Sequence, residues 1–177
     1  SSNPKDDEFF ARARGLKLKN ATLVAFGSTR RANVSAEEDA GLRALMECGS
    51  GAVCLFGKSW DLHVEKALQV SQEENLAMIE ESVAYFTSAG VQVIFDAEHF
   101  FDGYRDNPEY ALSCLGAAVK GGASWLVLCD TNGGSLPLFV QQAVEVVSRR
   151  FAVPVGVHSH NDSELAVACS LAAVTAG

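Results

Sequence analysis

The run HSHND at 158–162 puts two imidazoles at positions i and i+2. Side chains alternate along an extended segment, so His158 and His160 face the same side and can hold one divalent cation between them. Pro154, Val155, Gly156 and Val157 lead in as an apolar strand that would keep the pair rigid. Two hydrogen-bonded or solvated histidines at a strand end have the same spelling, and other metal-binding barrels use H-x-H, so the pair alone fixes no reaction. A second constellation is FDAEHFFD at 95–102. Asp96 and Glu98 share strand parity, which sets both carboxylates on one face. There one could serve as acid or base if burial or its neighbour raises its pKa. An ion pair or a helix cap would use the same residues. Thr131 follows the buried-looking run WLVLCD. Its hydroxyl can bind a substrate carboxylate or cap the turn made by Asn132, Gly133 and Gly134.

These groups stand where short apolar runs end. The runs lie at 22–26, 52–56, 92–96, 125–129 and 154–158, and their nearly continuous apolar character is that of strands covered on both faces in a parallel sheet. Amphipathic stretches separate them. Asn3-Pro4 and Asn107-Pro108 place a capping side chain before a proline at the first helical position, and Ser135 precedes Leu136-Pro137 in a similar role. Ser35 with Glu38, and Ser71 with Glu74, have capping-box spacing. Leu76, Ile79, Val83 and Phe86 recur at helical steps before a stop at Gly90, and Gly49 and Gly121-Gly122 end two other helices. The runs begin 30, 40, 33 and 29 residues apart. Both an eightfold β/α barrel, at about 31 residues per unit, and a doubly wound sheet tolerate that spacing. In either, the active groups lie at the carboxyl ends of the strands, and 177 residues make only five to six such units.

Composition excludes several classes of partner. Fourteen Lys and Arg against 22 Asp and Glu give a net charge of −8, so no basic field exists for nucleic acid or an anionic membrane surface. The longest nearly apolar run, 165–174, is ten residues long, well short of the ~18 that suggest a membrane span. The acidic start at 1–8 lacks a signal-peptide pattern. Five widely spaced Cys without C-x-x-C point to free thiols in a reducing, cytoplasmic compartment, with Cys54 and Cys129 as core residues. Gly49-Ser50-Gly51 precedes a strand and has Cys54 where a third glycine belongs, so it is no dinucleotide fingerprint. Phe9-Phe10 and Phe100-Phe101 read as packing pairs.

With HSHNDSELAVACSLAAVTAG, VAFGSTRR, LFGKSWDLHV, FDAEHFFDGYRDNPEYAL and LVLCDTNGG, the chain resembles the acyl-CoA condensing enzymes and lyases of the metal-dependent TIM-barrel superfamily. That group includes the 2-isopropylmalate, homocitrate and citramalate synthases and the 3-hydroxy-3-methylglutaryl-CoA lyases. The runs are most similar to the citramalate branch. The resemblance implies an α/β fold: a partial (β/α)8 TIM barrel covering about strands three to seven of eight, one incomplete catalytic domain over 1–177. It implies His158 and His160 as ligands of a divalent cation (Mg, Mn or Zn), Glu98 as the catalytic carboxylate near the acetyl group, and Thr131 as the contact to a 2-oxo acid's carboxylate. Asn161 extends the motif as a supporting residue behind the ligands, and Ser59 and His63 fall in a loop lining the substrate pocket. Acetyl-CoA and a small 2-oxo acid are the implied substrates, branched-chain amino-acid biosynthesis the implied setting, and a homodimer the implied state of the full-length protein.

The family's first-strand Arg and Asp, its late Asn ligand and its C-terminal regions have no counterpart in these 177 residues. A segment limited to them is therefore expected to bind metal weakly and to be inactive alone.

Overall fold

The computed structural model describes residues 4–13 and 15–177. In chain order its elements are α1 (Pro4–Ala13), β1 (Val24–Ser28), α2 (Ala40–Glu47), β2 (Ala52–Lys58), a short turn α3 (Asp61–His63) that runs into a π-helical turn (Val64–Leu68), and α4 (Gln72–Thr87). They continue with β3 (Gln92–Glu98), α5 (Phe100–Asp106), α6 (Pro108–Lys120), β4 (Trp125–Asp130), α7 (Pro137–Arg150), β5 (Val155–Ser159) and α8 (Ala166–Ala176). All five expected strands form. The first starts at Val24 rather than at residue 22, and the fifth at Val155 rather than at 154.

The strands pair in parallel in the order β1-β2-β3-β4-β5. A doubly wound sheet reverses its strand order at a switch point, and this sheet never reverses. Burial gives the same answer. Val53, Leu55, Val93, Phe95, Leu126 and Leu128 alternate along the central strands and are at most 1% exposed under the helices. Each such side chain contributes about 1.5–3 kcal/mol by leaving water. The opposite face carries Val24, Phe26 and Trp125, which are 37%, 60% and 41% exposed. Helices therefore cover one face only, as on the wall of a β/α barrel, and the other face looks into the barrel's interior.

Most helix signals act as their residue types require. Ser71 Oγ accepts from Glu74 N at 3.2 Å, and Asn107 Oδ1 accepts from Tyr110 N at 3.2 Å ahead of Pro108. Ile79, Val83 and Phe86 are fully buried along α4, and Gly90 follows its end with φ 78°. Two signals act differently. Ser35 and Glu38 bond each other, but only within a turn; Asp39 caps α2 by accepting from Gly41 N and Leu42 N. Ser135 does not cap α7. It is buried and gives both its N–H and its hydroxyl to the Asp130 carboxylate, at 3.1 and 3.0 Å, so it braces the β4 loop. Asn3, the expected cap of α1, lies outside the described residues.

Candidate active site

The carboxyl ends of β2 to β5 converge on one polar edge. Strand parity puts Lys58, Asp96, Glu98, Cys129 and His158 on the inward face: Lys58 is the register partner of Glu98, and Cys129 of His158. Two loop contacts fix that edge. Ser59 donates through N and Oγ to the Glu98 carbonyl, at 3.2 and 2.8 Å, tying the β2 loop to the end of β3. Gly103 in α5 packs so closely that a Cβ there would lie 2.8 Å from the Trp60 Cα, which holds α5 tight against the same loop.

His158 is the last inward side chain of β5, and His160 follows the strand with its N–H on the Asp130 carbonyl at 3.2 Å. Their ring centroids are 5.1 Å apart. Behind them, Asp96 Oδ2 stands 3.4 Å from His158 Nδ1. An imidazole backed by a carboxylate on one nitrogen presents the other to a cation, the usual arrangement of a histidine ligand. The exposed imidazole pair with a buried carboxylate behind it suits a divalent cation in donor chemistry. Among the described residues the compact group of potential ligands is Asp96, Cys129 and His158, and His160 is not part of it.

Glu98 ends β3 with its Oε2 enclosed. Lys58 Nζ reaches this oxygen outside hydrogen-bonding alignment, so the contact is a charge pair. Of the uses foreseen for Glu98, the ion pair is the one that forms. Thr131 Oγ1 accepts from His99 N at 2.8 Å, which leaves the hydroxyl hydrogen free to donate. The sequence pointed to the β4 turn as its alternative partner; the observed partner is the neighbouring loop.

The other expected site residues are placed less openly. Ser59 is fully buried with its hydroxyl committed to Glu98, so it shapes the pocket edge rather than meeting a ligand. Asn161 Oδ1 accepts from Ala166 N at 3.1 Å, at the start of α8. His63 packs its ring on Trp60 at 4.7 Å and on His99 at 4.4 Å, and its Nδ1 is buried without a partner. Burial, then the nearby His99 and Lys58, push the His63 pKa below its ordinary value.

Three residues gain weight that spelling alone did not give them. His99 takes a left-handed backbone, φ 57°, directly after Glu98, and its Nδ1 lies 3.1 Å from Asp102 Oδ2, which Asn132 also contacts at 3.0 Å. The EH and FFD spelling held this signal, since His at i and Asp at i+3 meet on the first helical turn. Cys54 and Cys129, read as core, both lie on the inward face beside Asp96; Cys129 is buried and Cys54 only partly so. Burial, then Asp96, push the Cys54 thiol up to about 12.

Beside this edge a cavity of about 300 Å³ opens between Ser28, Arg31, Phe56, Lys58, Leu68 and Met78. Arg30, at its wall, is spent on structure. It is 5% exposed and bonds Glu81 Oε2 at 2.7 Å and Glu74 Oε1 at 2.8 Å. No helix among the described residues is long and apolar enough to cross a membrane.

Comparison with known proteins agrees with this geometry. The chain is 56% identical, over 99% of its length, to an (R)-citramalate synthase from Aquifex aeolicus and 50% identical over 99% to one from Synechocystis. It spans about a third of each of those relatives, 34% in both cases. The crystal structure of a Bacillus subtilis HMG-CoA lyase superposes with a TM-score of 0.77 at 21% identity, over 96% of this chain and 56% of that one. That likeness supports the fold as part of a (β/α)8 barrel. The HMGL-like family model matches residues 19–177. With that match across the strands that carry the polar edge, the chain belongs to the HMGL-like family.

Proposed function

We propose that the protein containing this chain is an (R)-citramalate synthase: it condenses acetyl-CoA with pyruvate, and hydrolysis of the thioester then releases CoA. A methyl C–H bond of the acetyl group breaks, a C–C bond forms to the keto carbon as its C=O π pair moves to oxygen and takes up a proton, and water then replaces sulfur on the acyl carbon, giving a carboxylate and the CoA thiol. The reading rests on one observation above all. The relatives that share half or more of this chain's residues carry that name.

Each residue then has a task. His158 and His160 would hold a divalent cation, magnesium, manganese or zinc, which when bound supplies Lewis-acid polarisation of the 2-oxo acid. Asp96 keeps His158 turned with Nδ1 inward. Glu98 accepts or relays the methyl proton, and Lys58 is paired with it across the strands. Thr131 donates its free hydroxyl hydrogen to the carboxylate of pyruvate. Ser59 holds the β2 loop in place, His63 contributes a neutral, apolar-packed ring to the pocket wall, and Asn161 fixes the loop that carries the imidazoles. On this reading the protein would act in branched-chain amino-acid biosynthesis, in the cytoplasm, as a homodimer. The domain would be an incomplete catalytic barrel here, with further ligands coming from other strands or from water.

Steady-state release of CoA by the full-length protein tests this assignment. His158→Ala and Glu98→Ala should each lower kcat/KM by about 10²-fold or more with the circular dichroism unchanged. Folded variants with wild-type turnover would exclude these roles.

A further inference from the structure

Below the imidazole pair, the inward face carries a second set of donors, which adds Cys129 to His158 and the Asp96 behind it. Asp96, Cys129 and His158 come from β3, β4 and β5, and each offers one ligand atom within 4.8 Å of the others. Asp96 Oδ2 and His158 Nδ1 are 3.4 Å apart. That is already close to the donor spacing around a tetrahedral ion with bonds of about 2.0–2.3 Å. Rotation of side chains by roughly 1 Å would bring the sulfur to the same centre. Asp96 and Cys129 are 6% and 3% exposed, so packing fixes two donors, while half-exposed His158 leaves a way in.

The donor types select the ion. One thiolate, one imidazole and one carboxylate suit a borderline-soft cation such as zinc or cadmium far better than magnesium, which prefers oxygen donors and water. A disulfide with Cys54 is no alternative use of that sulfur. The two cysteines sit on β2 and β4, two strand spacings or roughly 9–10 Å apart, beyond the ~7 Å Cα separation a disulfide spans.

We propose that Asp96, Cys129 and His158 form an inward site for a thiophilic divalent cation, with a fourth position left to water. If His158 and His160 hold the catalytic cation, as the functional reading has it, the inward ion competes with that cation for His158.

Titration of the full-length, reduced protein with Cd²⁺, followed by the ultraviolet thiolate-to-cadmium absorption, tests the site. One equivalent should develop the band, Cys129→Ser should abolish it, and Cys54→Ser should leave it. Asp96→Asn, which preserves side-chain size, should weaken Cd²⁺ binding at least tenfold. Near-UV circular dichroism checks that Cys129→Ser keeps its fold. No band, a band that survives Cys129→Ser, loss of the band in Cys54→Ser, or unchanged affinity in Asp96→Asn overturns the proposal. Mn²⁺ binding measured by electron paramagnetic resonance reads the outer imidazole pair separately. It should persist in Cys129→Ser, and its loss there would overturn the separation of the two sites.

Discussion

Asp96 and His158 meet across an intervening strand. They lie on β3 and β5 with β4 between them, yet Asp96 Oδ2 is 3.4 Å from His158 Nδ1. Strands two apart in a flat sheet are separated by roughly 9–10 Å. Both side chains stand on the inward face and span that gap between them. A carboxylate so placed controls which nitrogen of His158 is presented outward.

Asp96→Asn removes that control with little change in volume. In the full-length protein it should weaken Mn²⁺ binding by about 10- to 100-fold, the usual effect of losing a carboxylate behind a histidine ligand. Isothermal titration calorimetry reads this directly, and an unchanged affinity would mean that Asp96 does not orient the ligand.

Gly133 joins the β4 loop to the HSHND loop. Its φ is 61°, and a Cβ there would stand 2.8 Å from the Asp162 backbone nitrogen, while the Gly133 carbonyl accepts from Ser163 N at 3.1 Å. Gly133→Ala should cost about 2 kcal/mol or more through backbone strain and displacement of the loop. Thermal unfolding should show the drop, and turnover should fall with it because the loop begins at the imidazole pair.

Arg30 links the β1 loop to α4 through Glu74 and Glu81. Arg30→Met should destabilise the fold by about 1–3 kcal/mol at neutral pH, below the full penalty of a broken buried pair because both carboxylates reach solvent. The Arg30 hydrogen bond holds the Glu74 carboxyl below its ordinary 4.5. A depressed carboxyl stabilises the fold above that ordinary value and ceases to do so as pH falls through the lowered one. The difference between wild type and Arg30→Met should therefore be full at pH 7 and shrink below about pH 4. Denaturant titrations at the two pH values measure it, and a pH-independent gap would contradict the assignment to Glu74.

A polypeptide limited to these 177 residues leaves Phe26 and Trp125 open on the inward face at 60% and 41% exposure. It should self-associate, bind Mn²⁺ more weakly than the full-length protein and release no CoA. Light scattering after size exclusion and the CoA assay check this. A stable, active monomer would contradict it.

The fold was legible because its signals are local. Apolar runs of strand length, proline at helix starts and glycine at helix ends act within a few residues, and they located every strand to within two. Sequential strand order was not local and needed the hydrogen-bond register. The site divided in the same way. The parity of His158 with His160 and of Asp96 with Glu98 follows from alternation alone. The commitments of Ser59, Ser135, Thr131 and Asn161 depend on which loop lies beside them. The Asp96 to His158 contact joins strands two places apart, which no spacing in the sequence encodes.

The 2-oxo acid that the full-length protein accepts separates a citramalate synthase from its relatives that use larger acids. The full-length protein, supplied with acetyl-CoA and a divalent cation, is offered pyruvate, 2-oxoisovalerate and 2-oxoglutarate in turn, and CoA release is followed. Pyruvate should give the highest kcat/KM, by at least 10²-fold over either larger acid. Preference for 2-oxoisovalerate or 2-oxoglutarate, or no CoA release with any of the three, would rule out citramalate synthesis.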